Sequence, residues 1–108
     1  MSAQFLVAYA PQARNDLHAI VDYIEHALSA PQAAYKQSQR IRNAIHSLEA
    51  FPERHTRVDW EPWQSLGVRR LSIGNYAVFY RVETAEHRVT IMRIVYGGRN
   101  LSGLVDEA

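Results

Sequence analysis

The chain has 108 residues and is nearly neutral, with 12 Lys and Arg against 11 Asp and Glu, and 47% of it is apolar. That is the length of one domain with a modest core, and its balance excludes a disordered polyelectrolyte. There is no cysteine, so disulfides and thiolate metal sites are ruled out, and no run of residues approaches the roughly 18 apolar positions of a membrane helix. The opening MSAQFLVAYA lacks the basic start of a signal peptide, and the expectation is a soluble, cytoplasmic, single-domain protein over residues 1–108.

In chain order, QFLVAY at 4–9 reads as a short first strand. Ala10-Pro11 then changes the period: Ala13, Leu17, Ile20, Val21, Ile24 and Leu28 fall at helical spacing, with Pro11 suited to a first helical turn. Ser29-Ala30-Pro31 breaks this helix, and Ala34, Ser38, Ile41, Ile45 and Leu48 carry a second stripe that closes at Phe51-Pro52. A connection this short predicts an antiparallel helical hairpin. Residues 53–66, ERHTRVDWEPWQSL, show no regular period, and Trp60 and Trp63 are expected to pack this loop onto the body or to anchor a partner. From Gly67 the pattern is β: VRRLSI, NYAVFYRV and VTIMRIVY, joined by a tight Gly74-Asn75 turn and a looser one over Glu83 to His87. The predicted fold is α+β, a strand, a two-helix hairpin and a three-strand antiparallel meander, with the helices on one face of the sheet and the other face partly open.

Charge is distributed unevenly. Residues 1–53 carry four basic and five acidic side chains, residues 54–99 eight and four, and the last nine two acids, so the positive charge lies in the second half. Apart from Lys36 all of it is arginine, whose planar fork suits phosphate and carboxylate groups. The five histidines have no metal-ligand spacing, GxSxG and phosphate-loop motifs are absent, and neither a metal nor a cofactor is expected. On the strands, Arg70 shares a face with Val68 and Ser72, Arg69 with Leu71 and Ile73, and Arg81 with Ala77 and Phe79. If Tyr76, Val78 and Tyr80 face the helices, Arg81 lies on the open side. There it would offer a seat for a nucleic-acid backbone or an acidic peptide. The last strand runs into Gly97-Gly98 and then Arg99, where two glycines free the chain to turn at the rim of the sheet.

DLHAIVDYI at 16–24, LEAFP at the end of the second helix, VRRLSIGNYAVFYRV and VTIMRIVYGGRN together resemble the RelE/ParE toxins of bacterial type II toxin–antitoxin systems, over about residues 4–100. The resemblance implies the strand, hairpin and meander fold already reached from periodicity, and a cognate antitoxin that wraps and neutralises the toxin. It also implies one of two actions. RelE-like members cut mRNA on the ribosome without a metal, and in that pattern Arg70 and Arg99 would hold the phosphate, Tyr96 would stand for a tail tyrosine that LSGLVDEA lacks, and Arg69 and Arg81 would contact RNA or another target. The arginine expected directly after Tyr76 is replaced by Ala77. ParE-like members bind and poison DNA gyrase, and the DLxxIxxYI helix is closer to theirs. An inactive member that only binds its antitoxin is the third possibility.

Overall fold

A computed structural model describes residues 4–96. Strand β1 (Leu6–Tyr9) leads into helix α1 (Pro11–Asp22), which widens into a π-helical turn over Tyr23–Ala27; helix α2 (Pro31–His46) follows, ending in a 3-10 turn at Ser47–Glu49. A 3-10 turn at Pro52–Arg54 and the short helix α3 (Trp63–Leu66) lead to strands β2 (Arg69–Ile73), β3 (Tyr76–Glu83) and β4 (Arg88–Tyr96). Both long helices begin with proline at a first-turn position, where a missing N–H costs nothing. No helix among the described residues is long and apolar enough to cross a membrane.

The sheet order is β1-β4-β3-β2, and β1 runs parallel to β4 while the meander is antiparallel, so the sheet is mixed. The helical stripes cover one face: Ala13, Leu17, Ile41, Ile45 and Leu48 pack with Leu71, Ile73, Val78, Tyr80, Val89, Ile91 and Ile94. Within this core the Tyr80 hydroxyl donates to the Pro52 carbonyl at 2.6 Å, and burial pushes its pKa up to about 12, so it stays protonated. The β2–β3 hairpin turns on Gly74, whose φ of +58° is costly for a residue with a side chain. A Cβ there would also lie 3.1 Å from Arg40 Nη2.

The expectation of a partly open second face needs correcting. The aperiodic segment folds over it: Val58, Trp63 and the half-buried Trp60 pack with Val68, Ala77, Phe79, Val95 and Met92. Trp63 and Trp60 stand 5.1 and 5.9 Å from the Phe79 ring, centroid to centroid. The same segment closes the outer edge of β2, with Val58 N–H donating to the Val68 carbonyl and Arg70 N–H to the Thr56 carbonyl, both at 2.9 Å. Two indoles bury enough apolar area to hold an irregular loop without any periodic pattern.

One irregularity governs the last strand. The β3–β4 register shifts between Phe79, opposite Arg93, and Tyr80, opposite Ile91, leaving Met92 as an extra residue on β4. This bulge lets Ile91 and Ile94, three apart, both face the helices, while Met92 packs under the tryptophans.

Candidate functional site

The residues singled out from the sequence do not form one cluster. Arg99, with Gly97 and Gly98, lies outside the described residues. Arg70 is on the tryptophan side of the sheet, its guanidinium carbon 6.0 Å from the Phe79 ring centroid. Arg69 points the other way by strand alternation and donates from Nη1 to the His55 carbonyl at 2.7 Å. Beside it the His55 imidazole is held below its ordinary pKa, first by burial and then by the neighbouring charges of Arg54 and Arg69. Arg81 shares the Phe79 face with Arg70, near the far end of the β3–β4 ladder, opposite Thr90. There Glu83 accepts from Arg88 at 3.0 and 3.2 Å and from Thr90, and these bonds, with the charges of Arg88 and Arg81, hold its carboxyl down at about 2.

Tyr96 is 53% exposed and stands edge-on to Tyr76 with ring centroids 5.7 Å apart. It lines the helix side of the sheet, with Tyr23 and Ile94, so it is separated from Arg70 by the sheet itself. Of the residues predicted for RNA chemistry, the fold brings Arg70 and Arg81 to one face and takes Arg69 and Tyr96 away from it.

Two surface depressions adjoin these residues. The larger is an apolar groove of about 690 Å³ between the end of α1 and the ends of β3 and β4, lined by residues that include Asp16, Ile20, Tyr23, Leu28, Tyr76 and Tyr96. The π-helical turn contributes one wall: Leu28 N–H reaches back to the Tyr23 carbonyl, and Tyr23 and Leu28 are more than half exposed, at 59% and 55%. Burial, with Tyr96 and Tyr23 adding to it, raises the Tyr76 hydroxyl above its ordinary pKa. The smaller is a polar cavity of about 310 Å³ at the β2 edge, lined by Thr56, Arg57, Val58, Asp59, Trp60, Arg70 and Ser72.

Beneath the groove lies a pair that sequence reasoning missed. Asp16 on α1 accepts from Arg93 Nε at 2.8 Å and Nη2 at 3.2 Å, and from the backbone N–H of Ile94 at 2.9 Å. After Ala10 N–H bonds to the Ile91 carbonyl the chain leaves the sheet, and Asp16 takes the place a continued β1 would fill along the β4 edge. A signal was present in the sequence: an arginine in the middle of the apolar run VTIMRIVY needs a buried acid, and Asp16 stands on the predicted first helix at the start of DLHAIVDYI. Among the described residues no group of three or more His, Cys, Asp or Glu side chains is placed to hold a metal ion.

Residues 7–101 match the family model described as the ParE toxin of the type II toxin–antitoxin system parDE. Among solved structures, the chromosomal ParDE system of Pseudomonas aeruginosa is similar at 26% identity and a TM-score of 0.72, covering 88% of this chain and 98% of that one. The RelBE2 toxin–antitoxin complex of Mycobacterium tuberculosis aligns at 21% identity and a TM-score of 0.63, over 89% of this chain and 94% of that one. The archaeal RelE–RelB complex of Pyrococcus horikoshii has the same identity and a TM-score of 0.59, over 89% and 98% of the two chains. At this identity the last two speak for the fold alone. No curated protein sequence matches the chain. The strand, helical hairpin and meander and the family match across nearly the whole chain lead to one assignment: this chain belongs to the RelE/ParE family and is the toxin of a type II toxin–antitoxin system.

Proposed function

We propose that this toxin acts in the ParE manner, by binding DNA gyrase in the cytoplasm, and that it does not cut mRNA. One observation carries the reading: Arg70 and Tyr96, which the RelE pattern would need on one phosphate and its 2′-hydroxyl, lie on opposite sides of the sheet. RNA cleavage without a metal needs a base, cations and a leaving-group donor within hydrogen-bond reach of one another. Side chains divided by a β-sheet cannot meet that condition. The ParE model over residues 7–101 and the 26% identity to a ParDE system support the same side. The cognate antitoxin docks in the apolar groove, where exposed Tyr23, Leu28 and Tyr96 offer seats for apolar side chains of an amphipathic segment.

The test is a gyrase supercoiling reaction on relaxed plasmid with the purified protein, run beside 5′-end mapping of a defined message in cell-free translation. The expected result is lost supercoiling with accumulation of linear DNA and an intact message. New 5′ ends that depend on ribosomes, with gyrase untouched, would overturn the proposal.

A further inference from the structure

The outer edge of β2 carries a charge arrangement that folding alone does not call for. The segment before α3 pairs there with Arg57 directly opposite Arg69. The bonds on either side, Val58 N–H to the Val68 carbonyl and Arg70 N–H to the Thr56 carbonyl, make this a pair with no hydrogen bonds of its own. In such a pair the α-carbons approach to about 4.5 Å and the side chains stand together on one face. Here both are arginines, and like charges placed opposite each other destabilise a sheet. Arg54 adds a third cation, since its charge and that of Arg69 both act on the His55 imidazole. Among the described residues Arg54 and Arg69 donate to carbonyls and a hydroxyl, and Arg57 to nothing. None of the three has an ion pair with Glu53 or Asp59, the carboxylates of this segment.

The backbone is open at the same place. Residues in a pair of this kind direct their N–H and C=O away from each other, so those of Arg57 point out from the edge of the sheet. Neither has a backbone partner among the described residues. We infer that this edge docks an extended acidic segment of a protein partner. A strand laid beside residues 56–58 accepts from the Arg57 N–H and donates to its carbonyl, and the side chain opposite Arg57 falls on the arginine face. A Glu or Asp there meets two guanidiniums and offsets their repulsion. The backbone decides between protein and nucleic acid: a phosphate accepts from the N–H but has no donor for the C=O, whereas a peptide supplies both. No residue of the apolar groove takes part, so this is a second surface. The inference rests on the gyrase reading only for the partner's name, and it makes an acidic, extended segment of gyrase the part that is gripped.

Binding is read by fluorescence anisotropy of a labelled peptide of alternating Glu and Val with the whole protein. A Gln and Val peptide and a helix-forming Glu and Ala peptide run beside it. The Glu and Val peptide binds, more weakly as salt rises, and the other two bind at least about tenfold less tightly. Arg57→Gln lowers the affinity about tenfold, the worth of one charge-assisted hydrogen bond. Arg57→Glu abolishes binding yet raises Tm, because it sets an opposite charge beside Arg69. That rise separates lost binding from lost folding. Arg14→Gln, on the exposed surface of α1, changes neither reading. Equal affinity for either control peptide, undiminished binding by Arg57→Glu, or a Tm that fails to rise overturns the inference. So does tighter binding of a DNA duplex or an RNA that Arg57→Glu removes. Gyrase inhibition by wild type is scored separately: inhibition without peptide binding defeats only this docking edge, and peptide binding without inhibition defeats only the gyrase reading.

Discussion

Removing the Asp16 carboxylate should cost this protein a large share of its stability. The Arg93 side chain is 5% exposed and that of Asp16 12%, so the ion pair is shielded from water. Asp16→Ala deletes all three bonds at once, leaving a buried guanidinium without its counter-charge and the Ile94 N–H without an acceptor. Breaking a buried pair from one side costs about 3–5 kcal/mol, a large part of the roughly 5–15 kcal/mol that holds a domain of this size. The Asp16→Leu, Arg93→Met double variant removes both charges and the unpartnered Arg93 Nη1 together. It leaves only the Ile94 N–H unsatisfied, for a loss of about 1–3 kcal/mol. The assay is urea unfolding followed by tryptophan fluorescence, which both Trp60 and Trp63 report. A loss under about 1 kcal/mol for Asp16→Ala, or a double variant no more stable than the single one, would refute the account of Asp16 as the buried counter-charge.

Two further outcomes follow from bonds elsewhere. Glu83 is depressed from the ordinary 4.5 to about 2, so its contribution is complete above pH 4.5 and is lost as the pH falls toward 2. Thermal melts across that interval should show a steeper loss of Tm for wild type than for Glu83→Gln, and parallel curves would remove Glu83 from the acid response. Tyr80→Phe keeps the ring in place but leaves the buried Pro52 carbonyl without its donor. Urea unfolding should register about 1–2 kcal/mol of destabilisation.

The helical hairpin and the three meander strands were legible because their signals are local. Ala13, Leu17, Ile41 and Ile45 repeat at helical spacing, and Gly74-Asn75 marks its hairpin directly. The parallel partner of β1 was not legible, since nothing in LVAY says which distant strand it will join. The second hydrophobic face is hidden for another reason: Trp60 and Trp63 act through size and not through period, so the irregular segment carries no pattern that would show it covering that face. The bulge at Met92 also defeats simple alternation, because Ile91 and Ile94 would otherwise fall on opposite faces. For the candidate site, strand alternation correctly set Arg70 against Arg69, but sequence proximity to Arg99 drew Tyr96 toward the arginine face. The register places Tyr96 opposite Tyr76, on the helix side.

The pairing of the first strand with the last has a consequence for how the chain is made. Leu6 to Tyr9 find their partners at Arg88 to Ile91, so the sheet closes across almost the whole described sequence. On a ribosome working from the N-terminus, β1 and both long helices emerge with their apolar faces uncovered, and the strands that cover them come last. The groove wall made by Tyr76, Ile94 and Tyr96 needs β3 and β4 paired. A nascent chain that stops short of β4 therefore lacks this wall, and the groove exists only once the chain has been made as far as Tyr96.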